Sequence, residues 1–319
     1  MIETNPTPVF TATSDDTGKR LDAFLAENIE GWSRAKLQRL IENEDVLVND
    51  KAVKPSYKVH KNDEIEVDLV EAAATKFEPE DMPLDIVFED EFLAVINKPA
   101  GMVVHPGAGV QSGTLANAIA FHFKFEQSEV SEHQSELRIG IVHRLDKDTS
   151  GLIVVAKNDE IHEALSEQFR ERTVYKSYVA LVHGQTDENL GKVEAPVGRN
   201  KHNRLRMKVA THGRSALSLW RVRTRYDKFT LLDVEIKTGR THQIRVHMGF
   251  INHPVVGDEI YNEGRDNTIA DIHVRNAVVT MRRFFLHAEK LSFTHPKTGE
   301  RMEFIQELPP ELANFLPLL

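Results

Sequence analysis

The segment HRLDKDTSGL, residues 143–152, brings two carboxylates and two basic side chains together within a few positions. Carboxylates this close to one another can act as a nucleophile or as a general acid and base. The apolar run at residues 152–156 is rich in β-branched residues and predicts a buried strand. The segment is therefore predicted to be a loop at the edge of a sheet, where reactive groups are commonly presented. The competing interpretation is a salt-bridged turn without a chemical role.

Other short patterns suggest different chemistry, and each lacks a required part. Residues 33–36 match SxxK and residues 237–239 match KTG, as in penicillin-binding proteins, but the SDN motif is absent. The glycines of residues 107–113 do not have the dinucleotide-binding spacing. Asp146 and Asp148 lie too close in sequence to indicate a glycosidase pair at the required separation. A hydrolase of the SxxK or paired-carboxylate kind stays open as the weaker alternative.

Composition indicates a globular chain of 319 residues, with 40% apolar and 28% charged residues. It contains no cysteine, which excludes disulfides and thiolate metal sites, and its 15 histidines show no HExxH spacing. We therefore expect no metal. The N-terminal residues lack the apolar core of a signal peptide, and no apolar run approaches the length of a membrane span. The expected location is the cytoplasm.

The charges are distributed unevenly along the chain. The formal net charge is −9, yet residues 192–249 contain fourteen Lys and Arg against four Asp and Glu, a local net charge of +10. Residues 62–91 contain twelve acidic residues and one lysine, a local net charge of −11. Because local potential rather than total charge attracts a polyanion, this pattern favours an anionic partner.

Four segments are predicted along the chain: a flexible tail at 1–17, a small module at 18–69, a linker at 70–83 and a large domain at 84–319. In the small module, apolar residues at helical spacing predict two short helices, followed by a small sheet. The second helix carries Arg34, Lys36 and Arg39 on its polar face. In the large domain, strands and helices mix without a regular βαβ rhythm. This mixture predicts an α+β fold with a mixed, largely antiparallel sheet.

The small module resembles the S4 RNA-binding domain, and the resemblance implies that Arg34, Lys36 and Arg39 contact RNA; the alternative is an ordinary solvated helix face. Behind this module stand four stretches in order: NKPAG at 97–101, HRLDKDTSGL at 143–152, YKSYVALV at 175–182 and GRTHQIRVH at 239–247. Together they resemble the RluA family of pseudouridine synthases, and within it most closely the type that modifies the large-subunit (23S) ribosomal RNA. The resemblance covers roughly residues 18–300. It implies that the large domain is a catalytic domain of the pseudouridine synthase fold.

The resemblance also implies roles for individual residues. Asp146 matches the family's catalytic carboxylate, Arg245 the cation that holds it ionised, and Tyr178 the active-site tyrosine that meets the base. Arg144 matches the residue thought to fill the gap left by a flipped uridine. The substrate implied is RNA, either 23S rRNA or an assembling large subunit, and no organic cofactor or metal is implied.

Four cations in the basic segment are expected to neutralise phosphates: Arg199, Lys201, Arg204 and Arg206. The remaining alternative is a non-catalytic RNA-binding or ribosome-assembly factor. The presence of Asp146, Arg245 and Tyr178 together disfavours it.

Overall fold

In this computed structural model the chain divides into two compact units, residues 1–73 and 74–319. The structure describes residues 8–29, 32, 34–42, 45–49, 51–67, 78–106, 110, 112–124, 140–200, 206–211 and 213–319. Within these ranges, no helix has the length and apolar character needed to cross a membrane.

Seven helices and fifteen strands are formed by the described residues, numbered in chain order. The helices are α1 Leu21–Asn28, α2 Arg34–Glu42, α3 Leu115–His122, α4 Asp159–Arg170, α5 Gln243–Phe250, α6 Ile272–Met281 and α7 Pro310–Ala313. The strands are β1 Val9–Thr11, β2 Val46–Val48, β3 Lys51–Ala52, β4 Glu64–Val67, β5 Ile86–Glu89, β6 Leu93–Lys98, β7 Ser150–Ala156, β8 Tyr175–His183, β9 Leu190–Glu194, β10 Val197–Arg199, β11 Met207–Val209, β12 Leu217–Arg225, β13 Phe229–Ile236, β14 Leu286–Thr294 and β15 Arg301–Ile305.

The larger unit is built on a nine-stranded sheet with the order β5-β6-β7-β14-β8-β13-β12-β9, and β15 also pairs with β14. Among these pairings only β7 with β14 is parallel. Strands β10 and β11 form a separate antiparallel pair. The predicted α+β class with a mixed, largely antiparallel sheet is confirmed.

Helices cover both faces of this sheet. Alternate residues of β7 show this: Ile153 and Val155 belong to a core shared with α3 and α5, while Leu152 and Val154 pack with α4. Because both faces are covered, every residue of β7 is buried, and the strand is an unbroken apolar run in the sequence. The loop that precedes it is thereby attached to the rigid centre of the fold.

The boundary predicted at residue 84 is set too late. The side-chain amide of Asn117 donates to the Glu78 carbonyl, and the Glu80 carboxylate accepts from the backbone N–H of Gly113. Residues 78–80 therefore belong to the larger unit rather than to a linker. Their acidic composition concealed them, because their partners lie more than thirty positions away along the chain.

The smaller unit packs its two helices against a four-stranded antiparallel sheet with the order β1-β4-β2-β3. The prediction of a flexible tail up to residue 17 is wrong for the described part of that segment. Val9 and Thr11 pair with Glu66 and Glu64 of β4, and Ala12 is buried. A three-residue edge strand has too few residues to show periodicity, so its pairing partner alone reveals it.

Asp22 is a buried charge of the smaller unit, with a fully buried side chain on α1. Arg20 donates to it from Nε and Nη2, each at 3.0 Å, and Arg34 Nη2 donates at 3.2 Å. Gln38 of α2 is a further donor, at 2.5 Å. Burial favours the neutral acid, but the hydrogen bonds from Arg20, Gln38 and Arg34 outweigh it and hold the Asp22 pKa well below its usual range. This carboxylate therefore joins α1 to α2.

We predict that Asp22→Asn lowers the free energy of unfolding of this unit by about 1.5–3 kcal/mol at neutral pH, because the charge-assisted hydrogen bonds that the buried carboxylate accepts are lost. Since folding lowers the Asp22 pKa, its contribution is complete above the ordinary value of 3.8 and declines as pH falls below it. Urea unfolding followed by Trp32 fluorescence, in a Trp220→Phe background, measures the effect. Asp15→Asn, at an exposed position, is the control. A loss no larger than the control's would refute the role of Asp22.

Candidate active site

Alternating contacts hold the loop that carries Asp146. His143 stacks on the Phe169 ring with centroids 4.6 Å apart, and its Nε2 accepts from the Val154 backbone N–H at 3.0 Å. Leu145 is buried in the core shared with α3. Between these inward residues Arg144 is exposed, and the Asp146 side chain keeps 19% of its surface accessible. His143 and Leu145 thus fix the first part of the loop, which leaves Arg144 and Asp146 accessible.

Lys98 holds the middle of this loop in place through hydrogen bonds to backbone carbonyls. Its side chain is fully buried, and Nζ donates to the carbonyls of Pro99, Met102 and Lys147 at 2.7, 2.9 and 3.0 Å. The Gly101 N–H donates to the same Lys147 carbonyl. Burial, with a smaller effect from the Arg283 charge, lowers the pKa of Lys98 to about 7. The three carbonyl oxygens accept from all three N–H bonds of the ammonium, so these hydrogen bonds favour the charged form of Lys98.

Ser150 anchors the loop where it enters β7. Its hydroxyl accepts from Arg283 Nη2 at 2.9 Å and lies 2.8 Å from His287 Nδ1. Arg283 also donates to Glu311. The next residue, Gly151, has φ +112°, and a Cβ there would stand 2.3 Å from the Ala288 carbonyl oxygen. Only glycine permits β7 and β14 to approach this closely.

Arg245 of α5 is the cation that reaches Asp146. Its Nη1 donates to Asp146 Oδ2 at 3.2 Å, while Nε and Nη2 donate to the two oxygens of Asp258 at 2.6 and 2.9 Å. Both the Arg245 and the Asp258 side chains are buried. Asp258 therefore fixes the plane of the guanidinium, and the remaining edge points at Asp146.

Two aromatic rings enclose the Arg245 guanidinium. Its Cζ lies 4.2 Å from the Phe284 ring centroid and 5.0 Å from that of Tyr261. Burial alone would lower the Arg245 pKa, but the hydrogen bond and charge of Asp258, together with the charge of Asp146, raise it. Arg245 therefore stays a cation in a place from which water is largely excluded.

Tyr261 is itself held by hydrogen bonds. Its hydroxyl accepts from the Met207 N–H at 2.8 Å and lies 2.8 Å from His242 Nδ1. Burial raises the pKa of Tyr261 to about 12 and lowers that of His242, so a neutral phenol faces a neutral imidazole and donates to it. His242 has φ +55° at the start of α5, a left-handed conformation uncommon for a residue other than glycine.

Tyr178 lies on β8, between β13 and β14, and is buried. Burial raises its pKa far above the usual value, and the negative charge of Asp146 raises it further. Within the described residues, its hydroxyl makes no hydrogen bond, so this phenol is available to contact a ligand.

Arg144 is exposed, and in the described part of the chain it forms no ion pair with Asp148. The Asp148 charge acts instead on Lys98 and Arg283. The two carboxylates of the loop therefore have different surroundings: Asp146 faces Arg245, and Asp148 faces the cations beneath the loop.

The residues predicted to bind RNA phosphates lie in several places. Arg199 ends β10, and Arg206 precedes β11 with its Cζ 5.9 Å from the Tyr261 ring. Arg34 is half exposed and donates to Asp22, so part of its role is structural. Four further candidates fall outside the described part: residues Lys201 and Arg204, and the side chains of Lys36 and Arg39.

The described residues contain no group of three His, Asp or Glu side chains placed to hold a metal ion. His247 is engaged elsewhere, with Nδ1 near Ser218 Oγ and Nε2 near the Ala195 carbonyl, each at 2.9 Å. The residues that sequence reasoning missed are Asp258, Tyr261 and Phe284. All three stand outside the four stretches, and no local pattern connects them to Arg245.

We predict that Lys98→Met lowers the free energy of unfolding of the larger unit by about 3–5 kcal/mol, because three buried carbonyls lose their donor while the alkyl stem stays packed. Urea unfolding followed by Trp220 fluorescence, in a Trp32→Phe background, measures the loss. Lys228→Met, at a position 79% exposed, is the control. Equal stability of the two variants would contradict the anchoring role of Lys98.

Comparison with known proteins identifies the family. A family model described as RNA pseudouridylate synthase matches residues 92–249, and one described as S4 domain matches residues 19–65. "Uncharacterized RNA pseudouridine synthase YlyB" of Bacillus subtilis is 40% identical over 306 residues, which cover 96% of each chain. "Ribosomal large subunit pseudouridine synthase D" of Zymomonas mobilis is 39% identical over 322 residues, which cover 98% of each chain.

A solved structure agrees with these relatives. "Human RNA Pseudouridylate Synthase Domain Containing 1" superposes with a TM-score of 0.56 at 26% identity, covering 74% of this chain and 89% of that chain. Both the sequence relatives and the fold therefore point to the same enzyme class. This chain belongs to the RNA pseudouridine synthase family, as an isomerase of RNA that carries an S4 domain ahead of its catalytic domain.

Proposed function

We propose that Asp146 is the carboxylate that performs the isomerisation, with Arg245 as its charge partner. The observation that supports this most directly is the ion pair at 3.2 Å between a partly accessible carboxylate and a buried guanidinium. A guanidinium that is already fixed by Asp258 stabilises the ionised form of Asp146 without having to reorganise. The carboxylate is thus prepared to react and remains open to a substrate on its accessible side.

The reaction exchanges one bond of uridine for another. The bond between N1 and C1′ breaks, the uracil turns, a bond forms between C5 and C1′, and the C5 proton leaves while N1 gains a proton. Asp146 can attack C1′ and form a covalent ester, or it can take the C2′ proton and form a glycal. Both routes need an ionised carboxylate within reach of the ribose, and both stay open.

Tyr178 and Arg144 are proposed to receive the nucleotide. The Tyr178 ring can stack on the uracil while its hydroxyl lies near the reacting atoms. A uridine within a stem must leave the stack to reach Asp146, which costs a few kcal/mol. Arg144, exposed two residues before Asp146, is placed to fill the space that the base leaves in the RNA.

We propose a uridine-containing stem-loop of 23S ribosomal RNA as the substrate, either in free rRNA or in an assembling large subunit. The support is the name of relatives such as the Zymomonas mobilis protein, which match this chain over nearly its full length. The S4 domain and the basic residues Arg199 and Arg206 suit an RNA partner. A ribosomal RNA substrate also favours the cytoplasm as the location.

The nucleophile is tested by release of tritium from rRNA labelled at uridine C5. We predict that Asp146→Asn, which removes the charge at nearly constant shape, reduces release by at least about a thousandfold. Asp148→Asn in the same loop is the matched control and should retain activity within about tenfold. Full release by Asp146→Asn would overturn its assignment. No release by the wild-type protein from rRNA or precursor subunits would overturn the choice of substrate.

The supporting role of Asp258 gives a separate prediction. Asp258→Asn weakens the hold on the Arg245 plane, so the Nη1 edge no longer points at Asp146, and kcat should fall by about a hundredfold. The dissociation constant for rRNA, measured by filter binding, should stay within about twofold because Asp258 is buried. Glu259→Gln, one residue away and exposed, is the control. A weaker affinity with unchanged kcat would contradict this account.

A further inference from the structure

Three lysines of the larger unit place their ammonium over a phenylalanine ring, and one of them differs from the others. Lys157 lies 5.0 Å from the Phe123 centroid and pairs with Glu89 at 2.7 Å. Lys297 lies 5.8 Å from the Phe92 centroid and pairs with Glu160 at 2.8 Å. Each of these charges is therefore neutralised by a carboxylate.

The third of these lysines, Lys176, lies 5.2 Å from the Phe169 centroid and is only 8% exposed. Within the residues described, it has no hydrogen bond and no ion pair. Its Nζ is not one of the side-chain nitrogens that lack both a hydrogen-bond partner and solvent contact, so the ammonium is accessible to solvent. The stem is buried, and the ammonium reaches the surface without an anion beside it.

Two cations lie near Lys176: Arg172, which forms no ion pair within the described residues, and Lys237, which pairs with Glu235. Arg172 lies just beyond the end of α4 in a left-handed conformation (φ +60°), and Lys237 directly follows β13. Because Ser177 pairs with Glu235, the end of β13 lies beside the start of β8 and brings Lys237 near Lys176. Burial lowers the pKa of Lys176 to about 8, and the charges of Arg172 and Lys237 contribute to that decrease. A buried ammonium with cations nearby has an unfavourable free energy unless an anion binds beside it.

This cluster lies beside the catalytic loop. The Phe169 ring under Lys176 also stacks with His143, three residues before Asp146. The charge of Lys176 acts on His143 as well. Tyr178 follows Lys176 by two residues on β8. An anion bound at Lys176 would therefore lie on the side of the Asp146 loop that packs against α4.

We propose that Lys176, together with Arg172, binds a backbone phosphate of the RNA substrate. This proposal rests on the function assigned above to Asp146. A phosphate supplies the negative charge that carboxylates supply to Lys157 and Lys297. Charge-assisted hydrogen bonds to an anion are among the stronger polar contacts, so the contribution to binding is measurable.

Removal of the Lys176 charge is expected to weaken RNA binding without lowering the stability of the folded protein. Lys176→Met keeps a flexible apolar stem over Phe169 and removes a charge that the folded protein disfavours. Its melting temperature should therefore equal or exceed that of the wild type. A lysine whose role is only structural would give a lower melting temperature.

The test measures KM and kcat for tritium release from 23S rRNA, and filter binding of the same RNA over a range of salt concentrations. Lys176→Met should raise KM and the dissociation constant about tenfold with kcat within about twofold, since one charged contact is worth roughly that factor. The slope of log affinity against log salt should fall by about one. Lys176→Arg should restore most of the affinity.

Lys297→Met is the matched control, because it removes an ammonium over a phenylalanine that already has a carboxylate partner. If Lys176→Met and Lys297→Met show the same KM and the same salt slope, the phosphate site is refuted. If the wild-type protein releases no tritium, the choice of 23S rRNA as the substrate fails instead. In that case filter binding still decides the phosphate site, because it needs no turnover.

Discussion

The guanidinium of Arg245, shared between Asp258 and Asp146, is the interaction on which the site depends. A cation buried between Phe284 and Tyr261 is stable only with carboxylates around it, and Asp258 provides two of its three contacts at fixed geometry. The third contact is left for Asp146, the less buried of the two acids. The same arginine therefore balances the buried charge of Asp258 and stabilises the ionised, partly accessible carboxylate of Asp146.

That arrangement requires the Asp146 loop to be held without using Asp146 itself. The contacts fall on its neighbours: Lys147 through its carbonyl to Lys98, Ser150 to Arg283, and His143 to Phe169. These partners come from β6, the segment just before β14, and α4, which surround β7 in the fold. The side chain that would react is the one that the surrounding structure leaves uncommitted, except for its bond to Arg245.

The sequence predicts the elements whose patterns are local. The apolar run of β7 and the helical spacing of α4 need no knowledge of distant contacts. The pairing of Asp146 with Arg245 spans 99 residues, and only family resemblance suggested it. Asp258 had no such signal, since it lies in an irregular segment where a single aspartate looks like a solvated one. The edge strand β1 was not predicted for the same reason: its pairing partners in β4 lie more than fifty residues away along the chain.

The field of Asp146 also links the two halves of the proposed reaction. Its negative charge adds to the burial that keeps the Tyr178 pKa high, so the phenol is protonated while the carboxylate is ionised. Attack on C1′ converts the carboxylate to an ester, and abstraction at C2′ converts it to an acid. Either step removes that charge while the Arg245 cation remains. The smaller contribution that the Asp146 charge makes to the high Tyr178 pKa is then absent, and only burial still opposes the phenolate, the form that could accept the C5 proton.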